Sequence, residues 1–483
     1  MRGRGLILAA PSSGSGKTLV TAGLLRHLRE RGVRVAAAKA GPDYIDPTFH
    51  AAASGGVCVN LDVWAMRPAT LAGLIGALEA AAEIVPCEGV MGLFDGTGPE
   101  DQTGSTAALA KLTGWPVVLV VDARHQGASV AALVAGFARH DPELPLAGVV
   151  FNRVAGPRHR ALLEAAMARH LPDLPCLGAI SRDLDLILPE RHLGLVPAGE
   201  RAAAETIIAR AATAVAAGLA IDRLVALARR SLTLPRKRGR EGWGLAAGEA
   251  GGGDYPAGSS PSPHPNPPPL AGEGTGSHFG VSPLPPLGQR IAIARDDAFV
   301  FAYPTVLEGW RRQGADLSFF SPLADETPGA AADAVYLPGG YPELHAGRLA
   351  ASGHFAAALR RAAAAGTAIY GECGGYMALG ESLTDGEGRT HRMVGLLPLA
   401  TSFAERRLHL GYRAATLLGA GPLGAAGARF RGHEFHYATT IAAGPGAPLF
   451  ALMDSCGRDL GASGLRHGSV MGSFIHLIDR AED

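Results

Sequence analysis

The sequence predicts an α/β protein of two domains, and three observations carry that prediction. Short apolar runs alternate with Ala/Leu-rich amphipathic stretches from residue 5 to about 230 and again after residue 289, the pattern of parallel strands buried under helices. Between them, residues 232–288 hold 11 Pro and 13 Gly among 57 residues. That segment buries too little apolar surface to offset its ordering entropy, so a disordered linker is expected there. The length of 483 residues also exceeds one ordinary domain. The expected division is therefore 1–231, 232–288 and 289–483.

Composition excludes several classes. Lys plus Arg and Asp plus Glu both total 44, which leaves no global footprint for nucleic acid or a membrane surface. The five cysteines are scattered, without CxxC spacing. A disulfide framework or structural zinc is thereby disfavoured, and a cytoplasmic setting is expected. The apolar run Leu6–Ala10 ends at Pro11, far short of the roughly 20 residues that span a bilayer. It reads as a first buried strand rather than a leader.

In the N-terminal half, Gly5–Ala10, Val33–Ala38, Val85–Met91, Pro116–Val121 and Leu146–Phe151 are the expected strands. The first runs into Pro11-Ser12-Ser13-Gly14-Ser15-Gly16-Lys17-Thr18 and a helical stretch, the setting of a phosphate-binding loop. Small residues let backbone N–H groups approach phosphate oxygens, Lys17 supplies a charge, and Thr18 offers a hydroxyl to Mg²⁺. Pro11 stands where the general pattern has its first Gly. Asp43, Tyr44 and Asp46 follow the next expected strand, and Glu88 and Asp95 flank the end of the one after. Both stretches fall at the carboxyl edge of a parallel sheet, where ligands bind. So many carboxylates are costly unless a cation or a reaction uses them. Asn152, after the fifth strand, is a candidate reader of the nucleotide base.

In the C-terminal half, Arg290–Ala294, Asp333–Leu337 and Thr367–Tyr370 are expected strands and Glu343–Ala365 a helix. Thr367–Tyr370 leads into Gly371-Glu372-Cys373-Gly374-Gly375. Flanking glycines permit the sharp strand-to-helix turn that exposes a nucleophile, and a helix N-terminus lowers a thiol's pKa. A thiolate needs a base, and His433, His436 and His476 are candidates that the residues alone leave open. Leu337-Pro338-Gly339-Gly340-Tyr341-Pro342-Glu343 is a tight loop able to turn N–H groups toward an oxyanion.

These motifs together carry a resemblance. The N-terminal half resembles the dethiobiotin-synthetase-like ATPase domain, and the C-terminal half resembles a class I glutamine amidotransferase domain. In this order the pair is similar to the cobyrinate (hydrogenobyrinate) a,c-diamide synthase family of cobalamin biosynthesis. Lys39–Pro47 separates it from the similar cobyric acid synthases. Phe299–Pro304 and Leu408–Tyr412 lean toward the hydrogenobyrinate branch.

The resemblance implies a glutaminase centre of Cys373 with His476 as its base and Gly339, Gly340 and Gly374 about the oxyanion. It implies ATP bound by Ser13, Gly14, Ser15, Gly16, Lys17, Thr18 and Asn152, and Mg²⁺ on Thr18, Asp43 and Glu88. Tyr44, Asp46 and Asp95 are implied in handling the corrinoid. The expected partners are corrinoid, glutamine and ATP, with no nucleic acid or membrane, and a homodimer is left open. The rival readings are an amidotransferase on another tetrapyrrole and a nucleotide switch of the ParA/MinD type, which would have no use for the Cys373 turn.

Overall fold

The computed structural model describes residues 4–98, 103–184, 186, 190–191, 194–195, 201–229 and 283–481. Seven parallel strands form the N-terminal sheet: β1 (Gly5–Ala9), β2 (Ala37–Ala40), β3 (Cys58–Leu61), β4 (Val85–Glu88), β5 (Val117–Asp122), β6 (Leu146–Val154) and β7 (Cys176–Ser181). Their order is β3-β2-β4-β1-β5-β6-β7. The sequence foresaw five of the seven. It began β2 four residues early and ended it two early, and it missed β3 and β7, whose short runs mix in Asn60, Gly178 and Ser181.

Fully buried Leu, Ile and Val side chains fill both faces of this sheet, as parallel strands covered on both sides require. The helix α1 (Lys17–Glu30) follows β1 directly, and α2 (Asp46–Ser54) follows β2. Leu8 pairs with Glu88, and Glu88 with Lys39. The register therefore brings the carboxyl ends of β1, β4 and β2 side by side, with the phosphate loop over them.

The C-terminal unit is built on a six-stranded sheet in the order Asp316–Phe320, Arg290–Ala294, Ala334–Leu337, Ala368–Glu372, Val470–Ser473 and Leu465–His467. Beside it lies a five-stranded antiparallel sheet, ordered Asp459–Ser463, Phe450–Asp454, His409–Leu417, Arg429–His436 and Ile475–Arg480. Phe474 is the single residue between Val470–Ser473 and Ile475–Arg480, so one chain segment passes from sheet to sheet. The expected continuous helix Glu343–Ala365 is divided instead: Pro342–Leu344 is a 3₁₀ turn, and Ala346–Ala351 and Gly353–Ala364 are separate helices.

Of the expected linker, only 283–288 is described, and it is packed. Leu284 and Leu287 are buried, Arg480 N–H donates to Pro283 O at 3.2 Å, and Gln313 Nε2 donates to Leu284 O at 2.8 Å. Those residues pack against the C-terminal unit. The rest of that expectation lies outside the described residues.

The two units meet in a polar seam. Arg67 donates to both Asp479 oxygens at 2.9 and 3.0 Å, Tyr412 donates to Asp62 Oδ2 at 2.9 Å, and Arg431 donates to Trp64 O. Among the described residues no helix is long and apolar enough to cross a membrane.

Candidate active sites at the domain seam

At the N-terminal site, Gly14 and Gly16 have φ of 76° and 90°, values an L side chain adopts only with strain. Asn152 Nδ2 donates to Ser15 O at 2.9 Å, and Arg153 N–H donates to Asn152 Oδ1 at 3.0 Å. Asn152 thus braces the phosphate loop. Ser13 lines the cavity beneath the loop, and Ser15 is buried with its hydroxyl donating to Ser12 O at 3.0 Å. Lys17 reaches across the loop to donate to Met91 O at 2.7 Å. Burial holds its ammonium below the usual lysine range, partly offset by Glu88. Met91 itself has φ 47°, backbone strain of the kind that gathers at functional loops.

Thr18 Oγ1 donates to Glu88 Oε1 at 2.8 Å. Burial alone would raise Glu88, but Lys39, the His50 hydrogen bond and Lys17 outweigh it and hold the carboxyl at about 2. An always-ionised carboxylate beside a hydroxyl is a hard oxygen pair suited to Mg²⁺. Asp43 adds Oδ2 nearby, its Oδ1 accepting from Ile45 N–H at 2.8 Å and Asp46 N–H at 3.2 Å. Lys39 is buried at the centre, 2.5 Å from Asp46 Oδ2, 3.3 Å from Glu88 Oε2 and 3.5 Å from Asp43 Oδ2. His50 Nε2 lies 2.6 Å from Glu88 Oε2. Sequence reasoning assigned neither Lys39 nor His50 a role. Lys39 opens the Lys39–Pro47 motif and its charge was the signal; His50, one turn along α2, carried none. A cavity of about 570 Å³ lined by the phosphate loop, Lys39, Asp43, Asp46 and Glu88 surmounts this cluster.

At the C-terminal site, Cys373 ends the strand Ala368–Glu372 with φ 47° and ψ −102°, the strained turn that the flanking glycines predict. A Cβ built on Gly375 would sit 1.9 Å from Leu337 O, one on Gly374 2.9 Å from Gly340 N, and one on Gly339 2.4 Å from His476 Cε1. Gly339 thus lies against His476, and Gly374, next to Cys373, lies against Gly340, approaches that only glycine allows. Burial pushes the Cys373 thiol up, with Glu343 adding to it, so in this state burial outweighs the helix terminus expected to lower it. Burial likewise drives His476 well below the usual imidazole range and His433 down to about 3.

Glu372 is the residue the sequence reading overlooked here. Its Oε2 lies 3.8 Å from His476 Nδ1, a nitrogen without a hydrogen-bond partner, and Tyr336, Tyr370 and Leu477 N–H donate to its oxygens at 2.8, 3.1 and 3.2 Å. His433 stacks on His476 at 5.0 Å and faces Tyr303 rather than the carboxylate. His436 is engaged by Glu434 at 2.9 Å and by Ala438 O at 3.1 Å. His409, Glu434 and His436 lie close enough to suggest a cation site. However, Arg413 already holds Glu434 at 2.8 Å and the two imidazoles stack at 6°, so their in-plane lone pairs lie in two parallel planes that do not meet.

A second cavity of about 510 Å³ lies in the seam. Asp43, Asp46 and Asp95 line one side, His433 and His476 another, and Leu410, Tyr412 and Ser455 a third. It shares Asp43, Asp46, Val90 and Met91 with the cavity at the phosphate loop. Asp95 Oδ2 accepts from Gly92 N–H at 2.8 Å.

A phosphate-loop sheet domain joined to a cysteine-turn domain defines the class: a nucleotide-binding domain fused to a glutamine amidotransferase. Residues 6–196 match the family described as CobQ/CobB/MinD/ParA nucleotide binding domain, and 290–483 the CobB/CobQ-like glutamine amidotransferase domain. The hydrogenobyrinate a,c-diamide synthase of Brucella anthropi is 48% identical over 477 residues, covering 99% of this chain and 98% of that protein. That of Rhizobium meliloti is 48% identical over 482 residues, covering 99% and 100%. The chain belongs to the hydrogenobyrinate a,c-diamide synthase family, which are ligases that form amides with glutamine nitrogen.

Proposed function

We propose that this chain uses ATP and glutamine to convert the a and c acetate carboxylates of hydrogenobyrinate into carboxamides. One observation carries the reading: a single seam cavity is lined by the acids beside the nucleotide site and by the histidines of the glutaminase site. Cys373 would pass its proton to His476 and attack the glutamine carboxamide carbon. Gly340 and Gly374 N–H groups would face the oxyanion. Ammonia would leave with that proton, and water would release glutamate from the thioester. The corrinoid carboxylate would take the γ-phosphoryl group of ATP under Lys17 and the phosphate loop. Ammonia arriving through the cavity would displace phosphate from that acyl phosphate.

Thr18, Asp43 and Glu88 would hold Mg²⁺, which when bound neutralises phosphate charge. Tyr44, Asp46 and Asp95 would shape the substrate's side of the cavity. None of the five cysteines is disulfide-bonded, which suits a reducing, cytoplasmic setting.

The test separates the two centres. Cys373→Ala is expected to abolish amidation with glutamine while free ammonium still supports it, and Lys17→Ala to abolish both, with products resolved by mass. Ammonium-supported turnover unchanged in Lys17→Ala would overturn the phosphate-site assignment.

A further inference from the structure

Tyr44 belongs to the N-terminal domain, yet its side chain lies among the C-terminal rings. It stacks on Tyr303 at 4.3 Å and Phe301 at 5.1 Å, and it tilts against His476 at 5.1 Å and His433 at 5.6 Å. His476 is therefore pressed between Gly339 on the glutaminase loop and a ring carried by the other domain. Tyr44, His433 and His476 all line the seam cavity, whereas Cys373 does not and is only 3% exposed.

The backbone carrying this ring is stiff. Asp43 caps Ile45 and Asp46 through one carboxylate oxygen, and Asn60 Nδ2 donates to Gly41 O at 2.9 Å and Asp43 O at 2.7 Å. Both acids flanking Tyr44 face Lys39 in the nucleotide cavity. A rearrangement of that charged cluster cannot be absorbed by a slack loop, so it must move the ring.

We infer that Tyr44 is the positioning residue that couples the two reactions: its ring holds His476 and seals the thiol until ligands at the acid cluster shift the 43–46 turn. This rests on the amidotransferase reading above. A coupling between two sites needs a two-state element that both sites bias, and the turn with its ring is that element. The closed state suppresses glutamine hydrolysis when no acceptor is present, and opening both frees His476 and joins the thiol to the cavity.

The test measures glutamate release without ATP or corrinoid, and glutamate formed per amide in the complete reaction. In Tyr44→Ala, basal release is expected to rise by about tenfold, within the usual range of inter-site coupling, with more than one glutamate spent per amide. Tyr44→Phe keeps the ring and is expected to hold basal release and glutamate per amide well below those of Tyr44→Ala. Should alanine compromise folding, Tyr44→Leu serves, since it keeps apolar bulk without the ring. As an independent readout, iodoacetamide labelling of Cys373, located by peptide mass, is expected to speed up in the variant and, in the wild type, on adding ATP with corrinoid. Unchanged basal release and labelling in a folded Ala or Leu variant overturns the coupling, as does a Phe variant that leaks as much as the Ala variant. Failure of the underlying reading looks different, because the wild type would then release no glutamate under any condition.

Discussion

Glu372 sits one residue before the nucleophile and is 3% exposed. Burial pushes its carboxyl up to about 7, against the hydrogen bonds from Tyr336, Leu477 N–H and Tyr370. Across 3.8 Å, an ionised Glu372 favours by charge a proton on His476 Nδ1, which leaves the other ring nitrogen free to take the thiol proton. Above pH 7 the carboxylate is present and below it the neutral acid is, so glutaminase kcat is expected to climb through that pH. Glu372→Gln removes the charge while keeping the shape. It is expected to lower kcat by roughly 10- to 100-fold, less than the ~10²–10⁴ of a full acid–base group, and to flatten the climb. A pH profile identical to that of the wild type would exclude the orienting role. The sequence showed Glu372 only as part of the turn, because its meaning depends on Tyr336 and Tyr370, which neighbouring strands deliver.

The turn element bearing Cys373 depends on missing side chains more than on present ones. Gly375 backs onto Leu337 O, and a Cβ on Gly371 would sit 2.7 Å from Gly375 C. Gly375→Ala must push the strand Ala334–Leu337 away from the helix Gly374–Leu379. Overpacking of this kind costs about 1–3 kcal/mol, so the variant is expected to unfold at lower denaturant and lose glutaminase; a midpoint equal to the wild type's would show that the turn has room. This element was legible in advance, since glycines around a cysteine after an apolar run permit little else. The helix Glu343–Ala365 was misread because Ser352 and Gly353 interrupt an Ala-rich stretch whose composition otherwise continues helical. The antiparallel strands between Ser382 and Arg480 escaped because exposed faces and edges, as in Thr439–Ala443 and Asp459–Ser463, dilute the apolar alternation. The phosphate loop and the acids were readable as motifs. Of the partners that decide their state, Lys39 lay inside a readable motif but its contacts came only with the register, and His50 became visible only through packing.

At the scale of the whole molecule, the seam aligns two active sites, and its pairs are remote in sequence: Asp62 and Tyr412 lie 350 residues apart. No local pattern announces such a contact. Asp62 is 1% exposed, and burial pushes its carboxyl up to about 6, against hydrogen bonds from Ala65 N–H, Tyr412 and Trp64 N–H. The folded protein thus binds this proton more tightly than the unfolded chain, whose Asp titrates near ~4. The stabilisation linked to that proton is fully present below about pH 4 and is lost as pH rises through about 6. Each tenfold tightening of proton binding is worth ~1.4 kcal/mol, so the loss across that window is on the order of 2–3 kcal/mol. Asp62→Asn cannot titrate, its amide oxygen can still accept from Trp64 and Ala65 N–H, and its amide nitrogen can donate to the Tyr412 oxygen. Urea unfolding from pH 4 to 7 is therefore expected to show the variant gaining on the wild type by that amount and levelling off above about pH 6. A difference independent of pH would mean that Asp62 keeps an ordinary carboxylate titration and that solvent enters this part of the seam.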